Sequence, residues 1–252
     1  MELTVLGRYG PYPRPGGACS GYVIRDADTC ILLECGAGTL SRLLGAAPLN
    51  SIGAIVLSHL HYDHCSDLSV LRYALEQLAA RGGVRLPVPV YAPTAPQEAH
   101  RLLEYPVFQP HAPGQGGCVQ IGSLKLTFYE MAHPVPAYGM MLEGGDGSRL
   151  FYTGDTGYFD ALPELCRGAD ALLADACFLD ADDQGAPLAH MTARQAGLLA
   201  KRAGIAQVFL THLWGGADTE AAVQKEVDTP GAIVVQEQGH YVILPYNYKE
   251  EE

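Results

Sequence analysis

Residues 58–66 read SHLHYDHCS and place His59, His61, Asp63 and His64 in one short stretch, directly after the apolar run AIVL. Imidazole and carboxylate together suit zinc, iron or manganese better than magnesium or calcium. Three more donors follow apolar runs of the same kind: His133 after LTFYEMA, Asp155 after LFYTG and His212 after VFLT. One tetrahedral zinc takes ~4 ligands, so this set is too large for a single ion. It suits two divalent ions that share a carboxylate. The expected partition puts His59, His61 and His133 on one metal, Asp63, His64 and His212 on the other, and Asp155 between them. Zinc is the expected ion, with manganese or iron as alternatives. In HLHYDH, alternate residues 59 and 61 are expected to point one way in an extended turn, with Asp63 and His64 continuing toward the second ion.

Such donors need rigid mounts. In α/β proteins, ligands bind beyond the carboxyl ends of strands, and strands hold side chains more firmly than loops. Short β-rich runs predict strands at LTVLG (3–7), GYVIR (21–25), CILLE (30–34), AIVLS (54–58) and VPVYA (88–92). LKLTFYEMA (124–132), YGMMLEG (138–144) and RLFYTG (149–154) follow, with GGDG (144–147) as a hairpin turn. Helices are expected at 39–46, near 95–104 and at 67–80, where Leu68, Leu71, Leu75 and Leu78 share one face. The pattern then alternates: strand ALLAD (171–175), helix 192–203, strand QVFLT (207–211), helix 218–228, and strands AIVVQ (232–236) and YVILP (241–245). Thr192 and Gln195 form a T-x-x-Q capping box that starts a helix at about 193. The tail YNYKEEE is expected to fray. Hairpins first and alternation later predict two facing sheets with helices outside, a four-layer αββα sandwich forming one domain over 1–252. A doubly wound single sheet is the competing arrangement.

Composition narrows the partners. Lys plus Arg is 16 and Asp plus Glu is 28, giving a net charge of −12. That surface repels nucleic acid and anionic membranes, so an anionic substrate must be held by local positive charge. No apolar run approaches the ~20 residues of a membrane span. The seven cysteines include no CxxC pair. They are read as reduced thiols, and with an N-terminus too polar for a signal peptide the expected location is cytoplasmic.

HLHYDH, His133, TGDTG with Asp155, and THLW with His212 resemble the metallo-β-lactamase fold hydrolases in order and spacing. The resemblance covers nearly the whole chain and implies the αββα sandwich, with a two-metal site at one edge between the sheets. LGRYGPYPRPGGACSGYVI, HCSDL and AHMTARQAG are similar to the ribonuclease Z-like and phosphodiesterase branch. That branch implies a proton-donating role for His190, and Asp63 is assigned to orient the attacking water or take its proton. Two departures stand out. Glu34 replaces the family's usual Asp, which supports a metal-ligating histidine. Only the 21 residues 134–154 separate His133 from Asp155, too few for the long arm with which tRNA-processing members grip RNA. The resemblance therefore implies a small phosphodiester substrate, such as a cyclic nucleotide or nucleotide fragment, no tRNA-scale partner, no membrane, and a homodimer. A lactone or other carbonyl ester is the alternative substrate, with Tyr62, Tyr138 and Tyr158 as candidate helpers. A non-catalytic binding protein is the third reading, disfavoured because every ligand position is filled.

Overall fold

The computed structural model describes residues 1–185, 187–215 and 217–245. The tail YNYKEEE, with Tyr246 and Tyr248, lies outside the described residues.

The first sheet is built from β1 (Glu2–Gly7), β2 (Gly21–Asp26), β3 (Thr29–Leu33), β4 (Ala54–Val56), β5 (Val88–Tyr91) and β6 (Phe108–His111). The second follows in chain order: β7 (Cys118–Ile121), β8 (Leu124–Glu130), β9 (Tyr138–Glu143), β10 (Arg149–Tyr152), β11 (Ala171–Asp175), β12 (Gln207–Thr211) and β13 (Ala232–Val234). The chain then returns as β14 (His240–Val242) to pair antiparallel with β1. The sheet orders are β14-β1-β2-β3-β4-β5-β6 and β13-β12-β11-β10-β9-β8-β7. Each sheet changes from antiparallel to parallel partway across. The first runs parallel from β3 to β6 and the second from β10 to β13. This is the expected αββα arrangement, not a single doubly wound sheet.

The reason for two sheets lies in the strand faces. Along β8, Leu124, Leu126 and Phe128 are buried while Lys125 is exposed, the period of two that gives a strand one apolar face. These residues pack against Tyr22, Ile31, Leu33 and Val56 of the other sheet in a shared core that also takes in Phe209 and Tyr152. The parallel strands are buried on both faces, as in ALLAD of β11, because helices cover the outer side. α1 (Thr39–Ala46) and α3 (Leu68–Ala79) cover the first sheet, with Leu43, Leu68, Leu71 and Leu75 buried. α6 (Ala193–Ala203) covers the second through Ala196, Leu199 and Ala200. The remaining helices are α2 (Tyr62–Cys65), α4 (Gln97–His100), α5 (Leu162–Cys166) and α7 (Ala217–Glu226).

Several elements lay outside the sequence expectations. β6 and β7 carry weak alternation, FQPH and CVQI. α2 and α5 are too short to show a helical period. α2 corrects the expected extended turn over HLHYDH: the backbone is extended at His61, and from Tyr62 it is helical. The helix expected near 95–104 is one α-turn followed by a 3-10 turn, Arg101–Leu103. No described helix is long and apolar enough to cross a membrane. The seven cysteines are all unpaired.

Candidate metal centre

The parallel strands of both sheets end at one edge, and the polar side chains meet there. β4 leads into Ser58 and His59, β10 into Asp155, β12 into His212, and β8 runs toward His133. Tyr138 N–H donates to Ser58 O at 2.9 Å, tying the second sheet to the loop that carries His59. Gly154, just before Asp155, is left-handed with φ 57, and a Cβ there would meet Ser58 Cβ at 2.8 Å. At Gly10 an added Cβ would fall on the His212 imidazole itself. Glycine at both positions lets backbone close against the site.

His59, His61, His133 and Asp155 form one group whose ligand atoms all lie within 4.8 Å of one another; Asp63, His64, Asp155 and His212 form a second. Asp155 belongs to both. In the first group, His61 Nδ1 lies 3.0 Å from His59 Nε2 and 3.1 Å from His133 Nε2. His59 Nε2 is 3.5 Å from Asp155 Oδ2. In the second, Asp155 Oδ2 stands 3.2 Å from both His64 Nε2 and His212 Nε2. Asp63 Oδ2 is 3.3 Å from His212 Nε2 and 3.7 Å from His64 Nε2. Ligand atoms at ~2.1 Å from a common tetrahedral ion stand roughly 3.4 Å apart, which is the spacing of these donors.

His59 and His133 are oriented through their other nitrogen by hydrogen bonds, as metal-binding imidazoles usually are, while His212 and His64 have a carboxylate facing theirs at longer range. His59 Nδ1 faces Ser58 Oγ at 3.0 Å, and His133 Nδ1 faces Ala189 O at 3.0 Å. His212 Nδ1 is 3.8 Å from Asp175 Oδ1. His64 Nδ1 faces Glu34 Oε2 at 3.5 Å. Glu34 is fully buried, with a left-handed φ of 61, and its other oxygen accepts the Ser58 N–H at 2.9 Å. The longer side chain therefore fits, holding the Ser58 loop by hydrogen bond and facing His64 at ion-pair distance.

The electrostatics of the two groups differ. Burial, reinforced by His64, holds His59 well below the usual imidazole range, and burial also lowers His61 and His133. Burial thus favours the neutral form of those rings, the form that binds metal. Burial also works against charge on His64 and His212, but there the carboxylates win. Asp155, Asp63 and Glu34 raise His64 to about 10, and Asp155 leads the groups that push His212 well above its usual range. Burial disfavours the Asp155 carboxylate, yet His212, His64 and His59 hold it well below the usual range. The second group thus attracts positive charge.

A buried polar atom without a partner costs about 1–3 kcal/mol, more if charged. His64 Nε2 and Asp155 Oδ1 are buried with no hydrogen bond among the described residues. A cation would satisfy both, so the donor set fits divalent ions.

His190 sits at the rim, its side chain 18 % exposed, with Nδ1 2.9 Å from Asp175 Oδ2. Its ring stacks on His212 at 5.0 Å and 14°. Asp175 closes β11 and is fully buried. It accepts the Thr156 N–H at 3.2 Å and the Cys177 N–H at 3.0 Å, besides facing His190. Its signal in the sequence is the one that marks the candidate donors, a polar residue closing an apolar strand, here ALLAD. Cys177 groups with Asp175, His190 and His212, which no local spacing announced. Cys65, next to His64 in the chain, is buried and turned toward Leu60 O.

Residues 29–213 match a family described as "Beta-lactamase superfamily domain". The chain is 34% identical over 219 residues to "Probable metallo-hydrolase YhfI" of Bacillus subtilis (strain 168), covering 84% of this chain and 87% of that one. The crystal structure of the metallo-beta-lactamase fold protein YhfI superposes with a TM-score of 0.86 at 29% identity, covering 95% and 98% of the two chains. A "Ribonuclease Z" of Methanopyrus kandleri is 26% identical over 274 residues, 95% of this chain and 96% of its own. The fold is also shared with a diphosphatase from the PhnP family, at a TM-score of 0.73 and 20% identity over 96% and 97% of the chains. A family match across most of the chain, and a metallo-hydrolase relative matched over most of its length, place this protein in the β-lactamase superfamily as a metal-dependent hydrolase.

Proposed function

We propose that the protein is a binuclear phosphodiesterase acting on a small phosphodiester, a cyclic nucleotide or nucleotide fragment. The observation that carries the proposal is Asp155, whose Oδ2 lies within 3.5 Å of His59 and 3.2 Å of His64 and His212, between two donor groups. His59, His61 and His133 would hold one ion, Asp63, His64 and His212 the other, and Asp155 both. Two divalent ions, zinc first with manganese or iron as alternatives, would supply Lewis acidity and a water ionised near ~pH 7.

The chain's own residues supply the rest. Asp63 accepts or orients the proton of the attacking water. His190, held by Asp175 through Nδ1, presents its other nitrogen away from that carboxylate, to protonate the departing alkoxide. The rings of His133 and His212 flank it at 5.3 and 5.0 Å and fix its plane. Phosphorus chemistry agrees with relatives named ribonuclease Z and diphosphatase. A small substrate agrees with the short connections between β8 and β10, where 131–137 and 144–148 are loops and no arm is inserted.

The test is metal analysis of protein purified without chelators, with turnover of bis-p-nitrophenyl phosphate, a lactone and a β-lactam measured side by side. Two metals per chain and phosphodiester turnover are expected. Lactone turnover without phosphodiester turnover would overturn the assignment.

A further inference from the structure

Trp214 is the only tryptophan in the sequence. It lies two residues beyond His212 and is 43% exposed. Its ring meets Phe178 edge to face, at 6.1 Å and 79°. Phe178 in turn meets His190 at 5.4 Å and 88°. A continuous path of rings thus runs from His212 through His190 and Phe178 to an indole at the surface.

Both outer rings sit on fixed backbone. Phe178 N–H donates to Met191 O at 3.2 Å, and its carbonyl accepts from Ala193 N–H at 2.8 Å. Beside Trp214, Leu213 N–H donates to Arg8 O at 2.8 Å, and Gly10 N–H donates to Leu213 O at 3.3 Å. An exposed indole on so firm a mount does little for the core. It offers a flat apolar face at the mouth of a polar site, the arrangement by which aromatic side chains take up bases without hydrogen-bond readout.

We propose that Phe178 and Trp214 form a ring-binding subsite that takes the nucleobase on the leaving-group side of a nucleotide phosphodiester. The proposal rests on the phosphodiesterase reading, which puts His190 beside the departing oxygen; the group carried by that oxygen passes His190 and reaches these two rings. A phosphodiester without a base gains nothing from them. The −12 chain offers that substrate little general attraction, so a stacking contact next to the metal centre also supplies affinity that surface charge does not.

The lone tryptophan gives a direct readout. Metal-loaded protein is titrated with AMP and with ribose 5-phosphate, following tryptophan emission, while calorimetry sets the occupancy of each. AMP is expected to quench emission saturably, and ribose 5-phosphate at equal occupancy to leave it unchanged. Trp214→Ala is expected to weaken AMP about tenfold relative to ribose 5-phosphate, and Trp214→Phe to recover most of that preference. Circular dichroism confirms that each variant is folded. AMP that fails to bind, AMP that binds without changing emission, or the two ligands changing it equally would each overturn the subsite. Hydrolysis of bis-p-nitrophenyl phosphate, measured on the same samples, reports separately on the phosphodiesterase reading.

Discussion

Asp155 is the residue on which both donor groups depend, because one carboxylate oxygen faces imidazoles from each. Removing it leaves His64 and His212 buried without their main counter-charge. Asp155→Ala is expected to lose metal from both groups together, read by metal analysis, with activity falling at least ~10³-fold. His190→Ala makes the opposite prediction. Its ring lies beside the donors and outside the two groups that share Asp155, so metal content is expected to stay and kcat to fall by about 10²–10⁴-fold, the usual worth of a general acid. Unchanged turnover in that variant would remove His190 from the mechanism. Glu34→Gln separates the residue's two contacts. It keeps an oxygen for the Ser58 N–H but removes the negative charge facing His64 Nδ1. Metal affinity is expected to drop about 10–100-fold, with a smaller effect on folding.

Elements matter here through where they stop. β4, β10, β11 and β12 all end within one or a few residues of a site side chain, and the helix α6 begins just after His190. Its start is fixed by the capping box: Gln195 N–H donates to Thr192 Oγ1 at 3.2 Å, and Thr192 N–H donates to Gln195 Oε1 at 3.0 Å. Thr192 Oγ1 also donates to Asp180 Oδ1 at 3.1 Å. Thr192→Ala is expected to cost about 1 kcal/mol, lowering the melting temperature by ~2–4 °C, because one orphan amide at the helix start loses its acceptor. If His190 is positioned by that turn, kcat falls in the same variant while KM changes little. The capping box was legible in T-x-x-Q. The weakly alternating β6 and β7 were not, because their outer positions carry mixed residues and their place at sheet edges leaves them half covered.

For the whole molecule, the two-sheet core and the metal centre are coupled, since the donors come from both sheets. Anything that binds the folded state alone stabilises it by mass action, ~2.7 kcal/mol at a hundred times Kd. Chelation is therefore expected to lower the melting temperature, and added zinc to restore it. Truncating the shared core is a separate route to instability. Phe128, 2% exposed between the sheets, is expected to cost about 3–5 kcal/mol as Phe128→Ala. That variant would be destabilised with and without metal, which distinguishes core loss from loss of ligands.

The sequence alone marked the candidate donors and most of the strands that carry them. Spacing within HLHYDH and a polar residue at the end of each apolar run are local signals, as are the leucine stripe of α3 and the alternation along β8. It also indicated the two-sheet sandwich, because hairpins followed by strand–helix alternation leave few other ways to bury every apolar face. Tertiary structure alone decided what depends on distance between remote segments: Asp175 against His190, Cys177 beside His212, Glu34 reaching both Ser58 and His64, and Phe178 lining up with Trp214. Local spacing carries no trace of those pairs because each side chain is ordinary in its own neighbourhood; Glu34 stood out only through its place in the family pattern. Only the pairing of strands remote in sequence, β3 with β4 and β11 with β12, and the return of the chain before α6 beside β11, bring them within reach.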